Sequence, residues 1–144
     1  TISKPDFARC FRLVELTSSE VYKTSVFGWR PRAKRAEMRK NGMRYLLVRP
    51  ESLDSTDAIA FLSFLPVEEQ SPQTTAPFIA LYVYEVHVDP SCQSKGLGKR
   101  LMRVAEGIAA RIGARKVMLT VFEENEGGRR FYDREGYAVD EVSP

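Results

Sequence analysis

Cysteine and histidine are scarce in this 144-residue chain, which has two of the first and one of the second. Cys10 and Cys92 stand far apart and in no metal-like spacing, which argues against a structural zinc site and against a disulfide framework. We read them as reduced thiols. Long apolar runs are also missing: none approaches the roughly 18 residues that a membrane span needs. The N-terminal stretch carries Lys4, Asp6, Arg9 and Arg12 where a signal segment would be uninterrupted and apolar. A soluble, intracellular protein without membrane contact is therefore expected. Internal repeats and low-complexity tracts are lacking too, and a formal net charge of +3 is too small to imply nucleic-acid binding by itself. Six basic residues do cluster between Arg30 and Lys40. No aromatic residue is interleaved with them to stack on bases, so the cluster reads as a solvated helix face and direct DNA contact is not expected.

What is present suits one domain over 1–144, because 43% hydrophobic content in a chain of this length supports a single continuous core. Leu13, Leu16, Val21, Tyr22 and Phe27 recur broadly as one helical face, with Thr17, Ser18 and Ser19 as a cap or break. Pro31 suits the first turn of a second helix that runs to about residue 40, where Asn41-Gly42 stops it. Residues 43–49 and 58–65 are short apolar runs around a polar loop containing Asp54, Ser55 and Asp57, which predicts a hairpin. Residues 68–77, with Pro72 and Pro77, read as a loop before a long strand over 78–88. A helix follows, with Leu97, Leu101, Val104, Ala105, Ile108 and Ile112 on its apolar face and Gly113 at its end. Then come a strand over 116–122, a short helix from Asn125 to about Glu135, and a last extended segment over 137–142. That order predicts an α/β fold: a mixed central sheet flanked by helices on both faces, with strands 78–88 and 116–122 parallel. The chain stops inside an extended segment, so we expect a piece of a longer protein.

The hexamer Gln93-Ser94-Lys95-Gly96-Leu97-Gly98 lies between the long strand and the following helix. Two glycines one residue apart let a ligand approach the backbone, and the helix start leaves amide N–H groups pointing at it. Phosphate suits such a turn. A Walker A loop would end Gly-Lys-Ser/Thr, and a dinucleotide fingerprint would need three glycines and an acidic ribose partner, so neither fits. Ligands in sheets of this type sit where strands diverge at their carboxyl ends, and the hexamer lies there.

In the long strand, strict alternation places Tyr82, Tyr84, Val86 and Val88 on one face and Glu85 with His87 on the other, unless a bulge exchanges them. A carboxylate inside a central strand costs several kcal/mol unless it is paired or hydrogen-bonded. Glu85 therefore signals a tuned acid–base group or a buried network, and we take the first. His87, the one histidine, invites a general-base role. Its place beside Val88 fits a structural ring better.

Taken with the Val88-Asp89-Pro90 strand end and the cluster from Asn125 to Tyr137, the hexamer resembles the pyrophosphate loop of GCN5-related N-acetyltransferases (GNAT). That resemblance implies acetyl-CoA as co-substrate and no metal. Cofactor contacts would fall to His87, Val88, Asp89, Lys95, Gly96, Leu97, Gly98, Lys99, Arg100 and Asn125, with Tyr132 near the sulfur. Ser94 stands where many relatives are basic, and Tyr132 where some have Phe. More narrowly, Tyr22 with Phe27-Gly28-Trp29, then 32–38, 81–86, 95–99, 116–122 and Ser143-Pro144 resemble the NatD family, which acetylates the amino-terminal serine of histone H4 and a related core histone. It implies that Tyr22, Tyr84, Thr120 and one of Glu68 and Glu69 hold a peptide beginning Ser-Gly-Arg-Gly, the carboxylate meeting its guanidinium. For the mechanism we take Glu85 as catalytic base and Tyr132 as candidate proton donor, and we expect a histone-tail partner, a monomer, and a place in nucleus and cytoplasm. The family continues past Ser-Pro into a segment with another substrate-contacting Tyr. Two other readings stay open: a lysine or small-molecule acetyltransferase on the same fold, and a non-catalytic acyl-CoA-binding module that docks on histone tails.

Overall fold

A computed structural model describes residues 1–52, 55–73 and 76–140. In chain order these form α1 (Lys4–Thr24), α2 (Pro31–Met38), β1 (Arg44–Val48), β2 (Ala60–Glu69), β3 (Phe78–Val88), α3 (Leu97–Arg111), β4 (Lys116–Leu119) and α4 (Glu126–Arg134). The sheet has the order β1-β2-β3-β4, antiparallel except for the parallel pair β3 and β4. The expected mixed sheet with helices on both faces is what forms.

α1 is one unbroken helix. Ser3 Oγ accepts from the Asp6 amide at 3.2 Å and caps it, Pro5 fits its first turn, and Thr17 stays helical by donating its hydroxyl to Leu13 O at 2.9 Å. Its buried residues are Phe7, Cys10, Phe11, Leu13 and Val14, a helical stripe that begins earlier than expected. Leu16 and Phe27 are exposed. The stripe packs with Met38 of α2 on Phe61 of β2. The opposite face of the sheet presents Ala60, Leu62, Phe64, Leu81 and Val83 to Leu101, Met102, Ala105 and Ala109 of α3. Leu81 is fully buried, so truncating it to Ala should cost about 2–5 kcal/mol.

Four strand expectations are corrected. β2 runs on to Glu69, pairing Glu68 with Ile79 and Glu69 with Phe78, so the polar residues after Leu65 extend the ladder instead of starting a loop. β4 stops at Leu119, and residues 137–140 form no strand. Glu141 to Pro144, like Asp54, lie outside the described residues. Alternation on β3 is broken: Ser63 pairs with Glu85 but Phe64 pairs with Val83, leaving Tyr84 as a bulge. The extra residue shifts the parity. Leu81 and Val83 before it, and Val86 and Val88 after it, all join the α3 core, while Glu85 and His87 face α1 and α2.

Candidate active site

β3 and β4 pair only from Ala80 opposite Lys116 to Val83 opposite Leu119. Beyond that the chains part, and a cleft of about 390 Å³ opens between them and the α1 and α2 residues above. It is lined by Tyr22, Lys34, Glu37, Tyr82, Tyr84, Glu85, His87, Thr120, Phe122, Asn125 and Tyr132, among others. The volume falls within the roughly 300–1,000 Å³ of small-ligand pockets.

Glu85 sits in this cleft with both carboxylate oxygens engaged. Oε1 accepts from Lys34 Nζ at 2.6 Å, and Oε2 meets His87 Nε2. Each oxygen has a second lone pair, so the carboxylate keeps capacity for a water or substrate. Burial pushes its pKa up, but the charge and hydrogen bond of His87, together with those of Lys34, outweigh burial and hold it below the ordinary carboxylate range. Since an ionised carboxylate only accepts, His87 Nε2 carries the proton between them. The ring's other nitrogen, Nδ1, lies 2.5 Å from Thr17 Oγ1. His87 thus connects the cleft floor to α1.

The walls are aromatic. Tyr22 stands edge-on to Phe122 with ring centroids 5.0 Å apart and lies beside Trp29 at 5.5 Å. Burial, then the Glu85 charge, raises the Tyr22 hydroxyl pKa. Tyr82 and Tyr84 rings lie 4.8 Å apart, the Tyr82 hydroxyl bonds to Thr120 Oγ1, and Lys40 Nζ donates to the Tyr84 hydroxyl at 3.4 Å. Tyr132 closes the end toward α4. Burial first and the Glu85 charge second raise its pKa, so its hydroxyl remains protonated across the neutral range.

The glycine loop follows directly from β3. Asp89 Oδ1 accepts from the amide and hydroxyl of Ser91 at 2.9 and 2.7 Å, and Oδ2 accepts from Arg9 Nη2 at 2.8 Å. The Asp89 side chain is thus committed to capping the 3-10 turn Pro90–Cys92 and to α1. Gln93 Nε2 donates to Val88 O at 3.1 Å, Ser94 takes a φ of 64°, and Gly96 at φ 81° starts α3 without any side-chain cap. The left-handed conformation makes Gly96 the suitable residue there. The first helical bond runs from Arg100 N to Gly96 O, so the amides of Leu97, Gly98 and Lys99 have no acceptor within the helix. Nothing lies within 4 Å of where a Gly96 Cβ would stand. Open space, free amides and exposed Lys95, Lys99 and Arg100 fit a diphosphate. Asn125 caps α4 by accepting from Gly128 N at 3.0 Å while also lining the cleft.

Tyr22, Tyr84, Glu85, His87, Thr120, Asn125 and Tyr132 are therefore brought together. Glu68 and Glu69 are not: they lie on β2 near the start of β3, away from the residues that line the cleft. Sequence reasoning missed Lys34, taken as part of a solvated face, although its side chain is only 9% exposed. A signal existed. Lys34 precedes the buried Met38 by four residues, one turn, so both project from the same side of α2.

Comparison with known proteins agrees with this geometry. The family model for Acetyltransferase (GNAT) family matches residues 8–137. Saccharomyces cerevisiae N-alpha-acetyltransferase 40 is 32% identical over 118 residues, covering 72% of this chain and 39% of that protein. A mycothiol acetyltransferase of Mycobacteroides abscessus is 42% identical over 57 residues, covering 40% of this chain and 19% of that protein. The chain thus spans well under half of the length of either relative. Among solved structures, ribosomal-protein-alanine N-acetyltransferase from Brucella melitensis biovar Abortus 2308 superposes with a TM-score of 0.69, covering 96% of this chain and 90% of that one at 21% identity. At that identity the likeness speaks for the fold alone. A family match across nearly the whole chain, on a splayed sheet with a free helix start beside it, establishes that the chain belongs to the GNAT acetyltransferase family, whose members use acetyl-CoA.

Proposed function

We propose that this chain is an N-alpha-acetyltransferase domain whose acceptor is the free amino terminus of a protein beginning Ser-Gly-Arg-Gly, as in histone H4 and a related core histone. The observation that carries this reading is the placement of Glu85, buried in the cleft and gripped at both oxygens by Lys34 and His87. A carboxylate held below its ordinary range is a weak base, and it suits a weakly basic acceptor. An alpha-amino group titrates near 7.7–8.0 against about 10.4 for lysine, so its deprotonation needs about 3–4 kcal/mol less help. The likeness to yeast N-alpha-acetyltransferase 40 supports the same choice.

Acetyl-CoA, when bound, supplies a thioester-activated acetyl group for direct transfer to the amine. Its diphosphate would be held by the amides of Leu97 to Lys99 and by Lys95, Lys99 and Arg100. Glu85 takes the proton of the amine through a water, which leaves the nitrogen lone pair free. Strand amides at Val86 to Val88 offer donors to developing oxygen charge. Tyr132 holds a proton at its hydroxyl for the leaving sulfur. Tyr22, Tyr84 and Thr120 hold the peptide, and the same reading makes the histone tail the partner, in nucleus and cytoplasm.

Incubation with acetyl-CoA and two histone H4 tail peptides, one free and one blocked at its amino terminus, tests this. Acetylation of the free peptide alone is expected. Modification of the blocked peptide would make the protein a lysine acetyltransferase, and tight binding of both ligands without turnover would make it a binding module.

A further inference from the structure

Lys34 and Glu37 are charged groups in the cleft that the chemistry above leaves unused, and of the two only Lys34 is buried and bonded to Glu85. The Lys34 Nζ donates to Glu85 Oε1 at 2.6 Å and to Glu37 Oε1 at 2.9 Å, and it stands 4.9 Å from the centroid of the Tyr22 ring. An ammonium has three N–H donors, and two of them go to carboxylates while the charge also faces the Tyr22 ring. Those partners come from β3, α2 and α1. On the far side of the same carboxylate, His87 Nε2 holds Oε2, and Thr17 of α1 steadies the imidazole. The carboxylate plane is thereby defined from two directions by side chains that are themselves nearly buried.

We propose that Lys34 is a positioning residue that fixes the orientation of the Glu85 carboxylate in the cleft and supplies its counter-charge, without touching the reacting atoms. The kinetic consequences rest on the acetyl-transfer reading above; the consequences for Glu85 itself do not.

The charged and titratable groups around the pair are Tyr22 on α1, Glu37 on α2, Tyr45 on β1, His87 on β3 and Tyr132 on α4. Burial first, then neighbouring charge, raises all three tyrosines, so they stay neutral through the working range. For Lys34, burial pulls its pKa down, but the Glu85 charge and the hydrogen bonds outweigh burial and raise it, so the ammonium persists. Without it, His87 alone faces Glu85, and the carboxylate loses both a fixed partner and half of its grip.

Two variants test this: Lys34→Met keeps the alkyl stem without the charge, and Lys34→Arg keeps the charge. The first reading needs no substrate. Protonation of the Glu85 carboxyl, assigned by difference from Glu85→Gln, is followed against pH by infrared or carbon-13 spectroscopy. In Lys34→Met the midpoint should rise by about one unit or more, and in Lys34→Arg it should stay close to wild type. A midpoint that does not move in folded Lys34→Met overturns the proposal. If that variant does not fold, the wild-type protein decides: a midpoint at or above the ordinary glutamate value of about 4.3 also overturns it.

The second reading is kinetic. Lys34→Met should lower kcat at least tenfold and move the acid limb of its pH profile upward, leaving KM for acetyl-CoA within twofold. Combined with Glu85→Gln it should be no slower than Glu85→Gln alone, because Lys34 acts through that carboxylate. Losses that multiply would overturn the proposal. Absence of turnover in the wild type with every acceptor would defeat the acetyl-transfer reading and leave the titration decisive.

Discussion

Lys34 Nζ and Glu85 Oε1 stand 2.6 Å apart although 51 positions separate the two residues in sequence. Their contact joins α2 to the middle of the sheet at the floor of the cleft. A buried ion pair of this kind is costly to break from one side, because the surviving charge has no water to turn to.

Replacing Glu85 by Gln should leave acetyl-CoA binding nearly unchanged and reduce kcat by about 10²-fold or more, the scale of a positioned general base. Steady-state kinetics at pH 7 check it. Full turnover in Glu85→Gln would move the base elsewhere.

Acid stability should carry the signature of the same carboxylate. Its folded-state pKa is depressed, so its stabilising contribution is complete above the unfolded value of about 4.3 and is lost as pH falls through the folded value. Thermal melts between pH 3 and 7 should show a steeper acid-side decline in wild type than in Glu85→Gln. Parallel curves would mean that Glu85 titrates alike in both states.

Tyr132→Phe keeps the ring that packs edge-on to Phe131 and Tyr137, with centroids 5.0 and 5.9 Å away, and removes only the hydroxyl. The melting temperature should hold within a few degrees. If the hydroxyl protonates the leaving sulfur, kcat should fall about tenfold or more at constant KM; an unchanged kcat would leave Tyr132 as packing.

Gly128→Ala should disturb the cleft from behind. An added Cβ would stand 2.6 Å from Asn125 Nδ2, so the asparagine must swing away and release the Gly128 amide it caps. Loss of such a cap costs about 1 kcal/mol. A lower denaturant midpoint, with weaker acetyl-CoA binding, is the expected pair of results; unchanged values of both would show that Asn125 serves neither purpose.

Local pattern was enough for much of the fold. The bounds of β3, the cap at Asn125, the start of α2 at Pro31 and the glycine turn before α3 all follow from periodicity and turn chemistry within a few residues. The free amides at the start of α3 were legible in the same way, because they are a property of the backbone near Gly96. The apolar face of α1 was misplaced toward its C-terminal end, since Leu16 and Phe27 have the right character but only the position of Phe61 decides which residues it covers.

The sequence by itself determined that a mixed sheet with helices on both faces would form, with a glycine turn at a helix start after β3 and a carboxylate inside the central strand. Only the tertiary structure decided what that carboxylate meets. The Tyr84 bulge is set by register with β2, and it sends Val86 and Val88 to one core and Glu85 with His87 to the other side. Lys34 and Thr17 reach that side from helices far away in sequence. Glu68 and Glu69 are drawn into the ladder with β3 and away from the cleft. Contacts across such distances depend on which surfaces pack together, and no local propensity encodes that.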